Sequence, residues 1–226
     1  MKKLVSILCA FALVFGLAGC GQEKKPEKKV TITIAAAASL EKTFEETLIP
    51  RFEKKYEQSV LRVISDYGVG ASENTGAKGK ILGAGYEPYI MAFFIGLYAG
   101  KKLPLSDNTD DLKVLGQPLD KWGNLDSKKF RKAYSNLRSY IFIALVAKTD
   151  VDWIALDKGD IKVSTVVTSL IETMEEYANY GFSVMEEKLN KDKGYFFSNH
   201  SFLDIFLELT EKDKNKIDED NTPEEL

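Results

Sequence analysis

Both cysteines of this 226-residue chain, Cys9 and Cys20, fall at its amino-terminal end, so nothing beyond them can be held by a disulfide, a thiolate-bound metal or a cysteine nucleophile. Whatever folds after Cys20 must stand on a packed core. The material for one is present: 44% of the residues are hydrophobic, the level of an ordinary globular protein, and residues 30–226 suffice for one large domain or two small lobes.

Lys2 and Lys3 precede an uncharged apolar run from Leu4 to Leu17, and the small residues Ala18 and Gly19 lead to Cys20, which is the layout of a secretory signal. The run falls short of the roughly 20 residues of a bilayer-spanning helix, and the polar tract Gly21 to Lys29 follows at once. The expected organisation is a signal peptide over 1–19, a flexible tether over 20–29 and a folded domain over 30–226. Leu17-Ala18-Gly19-Cys20 resembles the bacterial lipobox. That resemblance implies lipidation of Cys20, cleavage before it, and a protein held on the extracytoplasmic side of a membrane by its lipid anchor alone. Without Lys2 and Lys3 the 31 basic residues become 29 against 34 acidic ones, a net of −5, which gives nucleic-acid binding no electrostatic support.

Along the domain, Val30 to Ile34 alternates β-branched residues and predicts a first core strand, with Ala35 to Ala38 small enough for close backbone approach at its end. Ser39 then stands as the N-cap of a helix in which Leu40, Phe44, Leu48 and Phe52 recur at helical spacing and Glu41 occupies the first turn. Pro50 interrupts that helix, with a kink or a short second segment expected from Arg51 to Tyr56. Val60 to Ile64 reads as a strand, and Asp66 to Ser72 as a glycine-bearing loop into another helix. Tyr140 to Ala147 is a continuous apolar run suited to a strand buried on both faces, and Ile161 to Val167 is a second such candidate. Helical patterns cover about 170–189 and 202–209, and the charge-dense stretch from Glu211 to Leu226 reads as a frayed, solvated end. Strand, loop and helix in alternation argue for an α/β sheet, whose ligands gather at the strand carboxyl ends.

From Val30 through Ala35-Ala36-Ala37-Ala38-Ser39-Leu40 the chain resembles the periplasmic molybdate-binding proteins of ABC transporters, whose first strand ends in an alanine-alanine-serine-leucine turn before a helix. The likeness extends through Phe44, Phe52 and Tyr56, and Gly123 to Ser127 with Lys148-Thr149-Asp150 follow a later block of that family. It implies an α/β periplasmic-binding-protein-like fold: two α/β lobes around a cleft, lobe one over about 30–100 and lobe two over about 110–210, the second one incomplete. It also implies capture of a small tetrahedral oxyanion, molybdate or tungstate, for delivery to an ABC transporter permease by a monomer that is no enzyme and needs no cofactor. By the same resemblance the anion would be held by Ser39, by Ser72 in the loop Gly68-Val69-Gly70-Ala71-Ser72, by backbone amides near Met174 and Tyr177, and by His200 or Ser201. The rival expectation is a lipoprotein that keeps this scaffold but has lost the ligand, as a degenerate or artificial relative.

Such a site is physically reasonable without a lysine or arginine. Hydroxyls and the unpaired amides of helix N-termini can hold a dianion, because those amides lack internal partners and the helix dipole favours negative charge there. His200, the only histidine, reads as a packed or solvent-facing residue, and no Asp, Glu or Cys has metal-ligand spacing. Gly68-Val69-Gly70 is only a fragment of a dinucleotide loop, and no nucleophile–base or cofactor fingerprint is present.

Overall fold

Where the sequence periodicity of Leu40, Phe44 and Leu48 predicts a helix, the computed structural model has one. Helix α1 (Ile34–Thr47) buries Leu40 and Phe44 completely, and Leu48, the residue after its end, is buried with them ahead of Pro50. The structure describes residues 34–68, 81–83, 85–116, 118–123 and 136–220, with side chains from 39 to 211, and all of them belong to one unit, Thr33–Leu226. The expected tether, Cys20 and most of the Val30–Ile34 strand lie outside the described residues; Ile34 itself opens α1.

After Pro50 the chain makes strand β1 (Arg51–Glu53), a π-helical turn (Glu57–Leu61) and a short α-helical turn (Arg62–Ile64). The strand expected at Val60–Ile64 is therefore helical. Val60, Leu61 and Ile64 are buried together, the spacing of one helix face rather than of alternate strand positions. Helix α2 (Tyr86–Ala99) follows, with Pro88 in its first turn, where the missing N–H costs no helical bond. It ends at Gly100, whose φ of 60° supplies the left-handed cap. Strand β2 (Leu112–Val114) returns to pair with β1 antiparallel, Phe52 opposite Lys113. This two-stranded ribbon is the only sheet among the described residues.

The rest is helical: α3 (Leu137–Lys148), α4 (Trp153–Lys158), α5 (Val163–Lys191) and α6 (Ser201–Asp220). Helices expected over 170–189 and 202–209 are thus present and longer, α6 carrying on through much of the stretch expected to fray. The strands expected at Tyr140–Ala147 and Ile161–Val167 are not; the first is the body of α3, and the second runs into the first turn of α5. Mixed α/β character holds only in the coarse sense of a mostly helical protein with one small ribbon.

Helix α5 is the spine, about 44 Å long at 1.5 Å per residue. The main partner is α2, and glycines set their approach. A Cβ on Gly181 would lie 1.8 Å from the Ala92 carbonyl oxygen, and one on Gly96 would lie 2.0 Å from that of Tyr177. Aromatic side chains fill the space around this crossing: Tyr56 stacks on Phe182 at 5.2 Å, Tyr89 meets Phe182 edge-on at 5.6 Å, and Tyr86 stacks on Trp122 at 5.7 Å. No helix among the described residues is long and apolar enough to cross a membrane.

Candidate functional site

The residues expected to hold an oxyanion are placed as follows. Ser39 is the sixth residue of α1 and exposed, so it is no N-cap; its amide lies in the hydrogen-bonded body of the helix, and its carbonyl accepts from Thr43 Oγ1 at 2.9 Å. The correction has a simple cause. The alanines before Ser39, read as a strand end, are the strongest helix formers of all and extend the helix backwards past it.

Met174 and Tyr177 lie in the interior of α5, where backbone amides are used within the helix. Met174 is fully buried. The Tyr177 ring meets Phe93 edge-on at 6.3 Å, with the Lys102 ammonium 5.2 Å from its centre. Ser201 opens α6 and is buried; its hydroxyl donates to the Ser198 carbonyl at 2.8 Å, and its own carbonyl accepts from Tyr195 Oη at 3.1 Å. His200 is exposed. Ser72 and the Gly123–Ser127 block beyond Gly123 lie outside the described residues. Among the described residues, no hydrogen bond joins Ser39, Met174, Tyr177 and Ser201 to one another, and no group of His, Cys, Asp and Glu suits a metal ion.

A different polar cluster is brought together on α5, from residues the sequence reading did not nominate. Glu175 is buried and accepts from Arg51 four times: from the backbone N–H at 2.7 Å and from Nε at 3.1 Å on Oε1, and from Nε at 3.2 Å and Nη2 at 2.7 Å on Oε2. The Arg51 guanidinium is held above its ordinary value, chiefly by this hydrogen bonding. Arg51 also offers its carbonyl to the buried Tyr89 hydroxyl at 3.3 Å, and burial pushes that phenol well above its usual range.

One turn further along α5, Asn179 Nδ2 lies 3.0 Å from Glu53 Oε1, 3.2 Å from the Leu103 carbonyl and 3.0 Å from that of Pro104. The amide thereby ties β1 and the strap that follows α2 to the spine. Lys102 pairs with Glu176 at 3.3 Å, and Leu103 N–H donates to the Glu176 carbonyl. Among the described residues, Asn179 Oδ1 is buried without a hydrogen-bond partner, as is Asp120 Oδ1. Glu53 in turn pairs with Lys55 at 2.5 Å, which raises the Lys55 ammonium.

Chemically this cluster closes on itself. The two Glu175 oxygens are taken up by Arg51, and the remaining groups cross-brace three chain segments. The signal for it in the sequence was faint but real: Glu175 and Asn179 adjoin an apolar helical stripe of Leu170, Met174, Ala178 and Phe182, and a carboxylate or amide beside such a stripe needs a partner. No family model matches the chain, and no curated protein or solved structure shows a significant match to it.

Proposed function

We infer that this chain is an exported, non-enzymatic lipoprotein, fixed through Cys20 to the outer face of a membrane, whose helical body acts through its surface rather than by capturing an oxyanion. The observation that carries the anchor is the sequence itself: a short apolar signal, small residues, Cys20 and a polar tether in immediate succession. What supports the second half is the state of the nominated donors. Ser39 sits inside a helix, Ser201 gives its hydroxyl to its own chain, and the amides at Met174 and Tyr177 belong to the interior of α5.

A second reading keeps molybdate or tungstate delivery to an ABC permease by a two-lobed cleft protein; its support is the likeness of Ala35 to Leu40 to the molybdate-binding proteins. Two measurements separate the readings. Cells expressing the full chain are fed labelled palmitate: label is expected on the protein and lost with Cys20→Ser, and an unlabelled protein overturns the anchor. The chain from Gly21 is then titrated calorimetrically with molybdate, tungstate and sulfate. Silence is expected with all three, and saturable heat with any of them restores the transporter reading.

A further inference from the structure

The strap that follows α2, Lys101 to Asn108, lies against α5 without burying a side chain. Lys101 to Pro104 are exposed, Leu105 and Ser106 are half-buried, and Asp107 and Asn108 are exposed again. Its far end is a turn closed by its own hydrogen bonds, Ser106 Oγ to Asp111 Oδ2 at 3.1 Å and Asp110 N–H to Asn108 Oδ1 at 3.1 Å. A segment with no apolar anchor in the core is kept in place by its polar contacts alone, and such segments open at lower free energy than the core they lie on.

The contacts it makes with α5 gather between Glu176 and Tyr180. Leu103 N–H donates to the Glu176 carbonyl at 3.1 Å, Lys102 pairs with the Glu176 carboxylate at 3.3 Å, and Asn179 Nδ2 reaches the carbonyls of Leu103 and Pro104 at 3.2 and 3.0 Å. The ammonium groups of Lys101 and Lys102 lie 5.7 and 5.2 Å from the centres of the Tyr180 and Tyr177 rings. Asn179, 2% exposed, is the central tie and an imperfect one. Its two N–H bonds face three oxygens, the two strap carbonyls and Glu53 Oε1 at 3.0 Å, so one of the three goes short of a donor. Among the described residues its Oδ1 has no hydrogen-bond partner at all. A buried acceptor without a donor disfavours the closed arrangement, and lifting the strap relieves it by letting water in.

We propose that the strap Lys101 to Asn108 is a latch that opens by itself while the helical core stays folded, with Asn179 as its catch. Opening takes both lysines off the tyrosine rings and brings water to the Asn179 amide, so this side of α5 has a covered and an uncovered state.

Amide hydrogen exchange tests this, read residue by residue by NMR on the chain from Gly21, which retains every described residue. The Leu103 amide is expected to exchange through local opening, much faster than the amide of Phe182 in the body of α5 and with little response to low urea. Asn179→Leu, which keeps the side-chain bulk and removes the ties to both carbonyls, should speed exchange at Leu103 about tenfold and leave Phe182 unchanged. Lys102→Ala, at a site exposed enough that folding does not depend on it, should speed Leu103 about threefold, again without effect on Phe182. It decides the matter alone if Asn179→Leu does not fold. A Leu103 amide as slow as that of Phe182 in the native protein, a folded variant that leaves Leu103 unchanged, or equal acceleration at both amides overturns the proposal, because the strap would then open only with the whole domain.

Discussion

Arg51 and Glu175, 124 residues apart in the chain, form a two-pronged ion pair that Arg51 completes with its own backbone N–H. The pair is lopsided: the Glu175 side chain is 2% exposed and that of Arg51 44%. Removing Arg51 strands a carboxylate in the interior, whereas removing the carboxylate leaves a guanidinium that water can reach. Arg51→Met is therefore expected to cost about 3 kcal/mol of stability and Glu175→Gln distinctly less. Urea unfolding of the two variants checks the order, and a reversed order would show that the Glu175 site is wetter than its burial indicates.

The approach of α2 to α5 gives a second expectation. At Gly181 and Gly96 a methyl group would meet a facing carbonyl at 1.8 and 2.0 Å, so either helix has to move. Gly181→Ala and Gly96→Ala should each cost about 3 kcal/mol, outweighing the roughly 1 kcal/mol by which alanine favours a helix interior. Gly100 is a contrasting case, with open space around it and only its left-handed φ of 60° to lose. There the alanine should cost about 1 kcal/mol. Thermal unfolding of the three variants compares crowding with backbone strain directly.

Acid should loosen the ribbon at Glu57. Hydrogen bonds from Lys113 of β2 and then from Arg62 hold its carboxyl below the usual 4.5. A carboxyl lowered in the folded state stabilises the protein above its unfolded value, and that contribution disappears as pH falls through the lowered one. Wild-type stability should thus decline below about pH 4.5, and Glu57→Gln should lose that part of the decline while being weaker at neutral pH. Urea midpoints measured from pH 6 to pH 3 read both effects.

Asp152 caps α4, its Oδ1 accepting from Ile154 N–H at 3.1 Å and from Ala155 N–H at 2.9 Å. Asp152→Ala should cost about 1 kcal/mol, and Asp152→Asn should recover most of it because the amide oxygen can take the same bonds. A thermal scan in which the two variants melt alike would place the value of Asp152 elsewhere than in the cap.

Parts of the candidate site were legible and parts were not. Ser39 reads as a cap because serine accepts from helix amides so well, yet the residues in front of it are alanines, and a helix that starts earlier removes the unpaired amides on which capping depends. Arg51 and Glu175 could not be paired by reading along the chain, since their meeting requires β1 to lie against α5, and neither residue carries a motif.

By itself the sequence determined the cysteine-free domain, the signal and lipid-box pattern, and those helices whose apolar residues recur at 3.6-residue spacing: Leu40 and Phe44 in α1, Leu170, Met174 and Met185 in α5, Ile205 and Leu209 in α6. Only the tertiary structure decided Pro88 to Phe94 and Tyr140 to Ala147. A continuous apolar run carries no period to tell strand from helix. A buried strand must find neighbours for its N–H and C=O groups, whereas a helix satisfies its own. With α5 offering two glycine-lined or apolar flanks and no parallel sheet among the described residues to join, both runs coil.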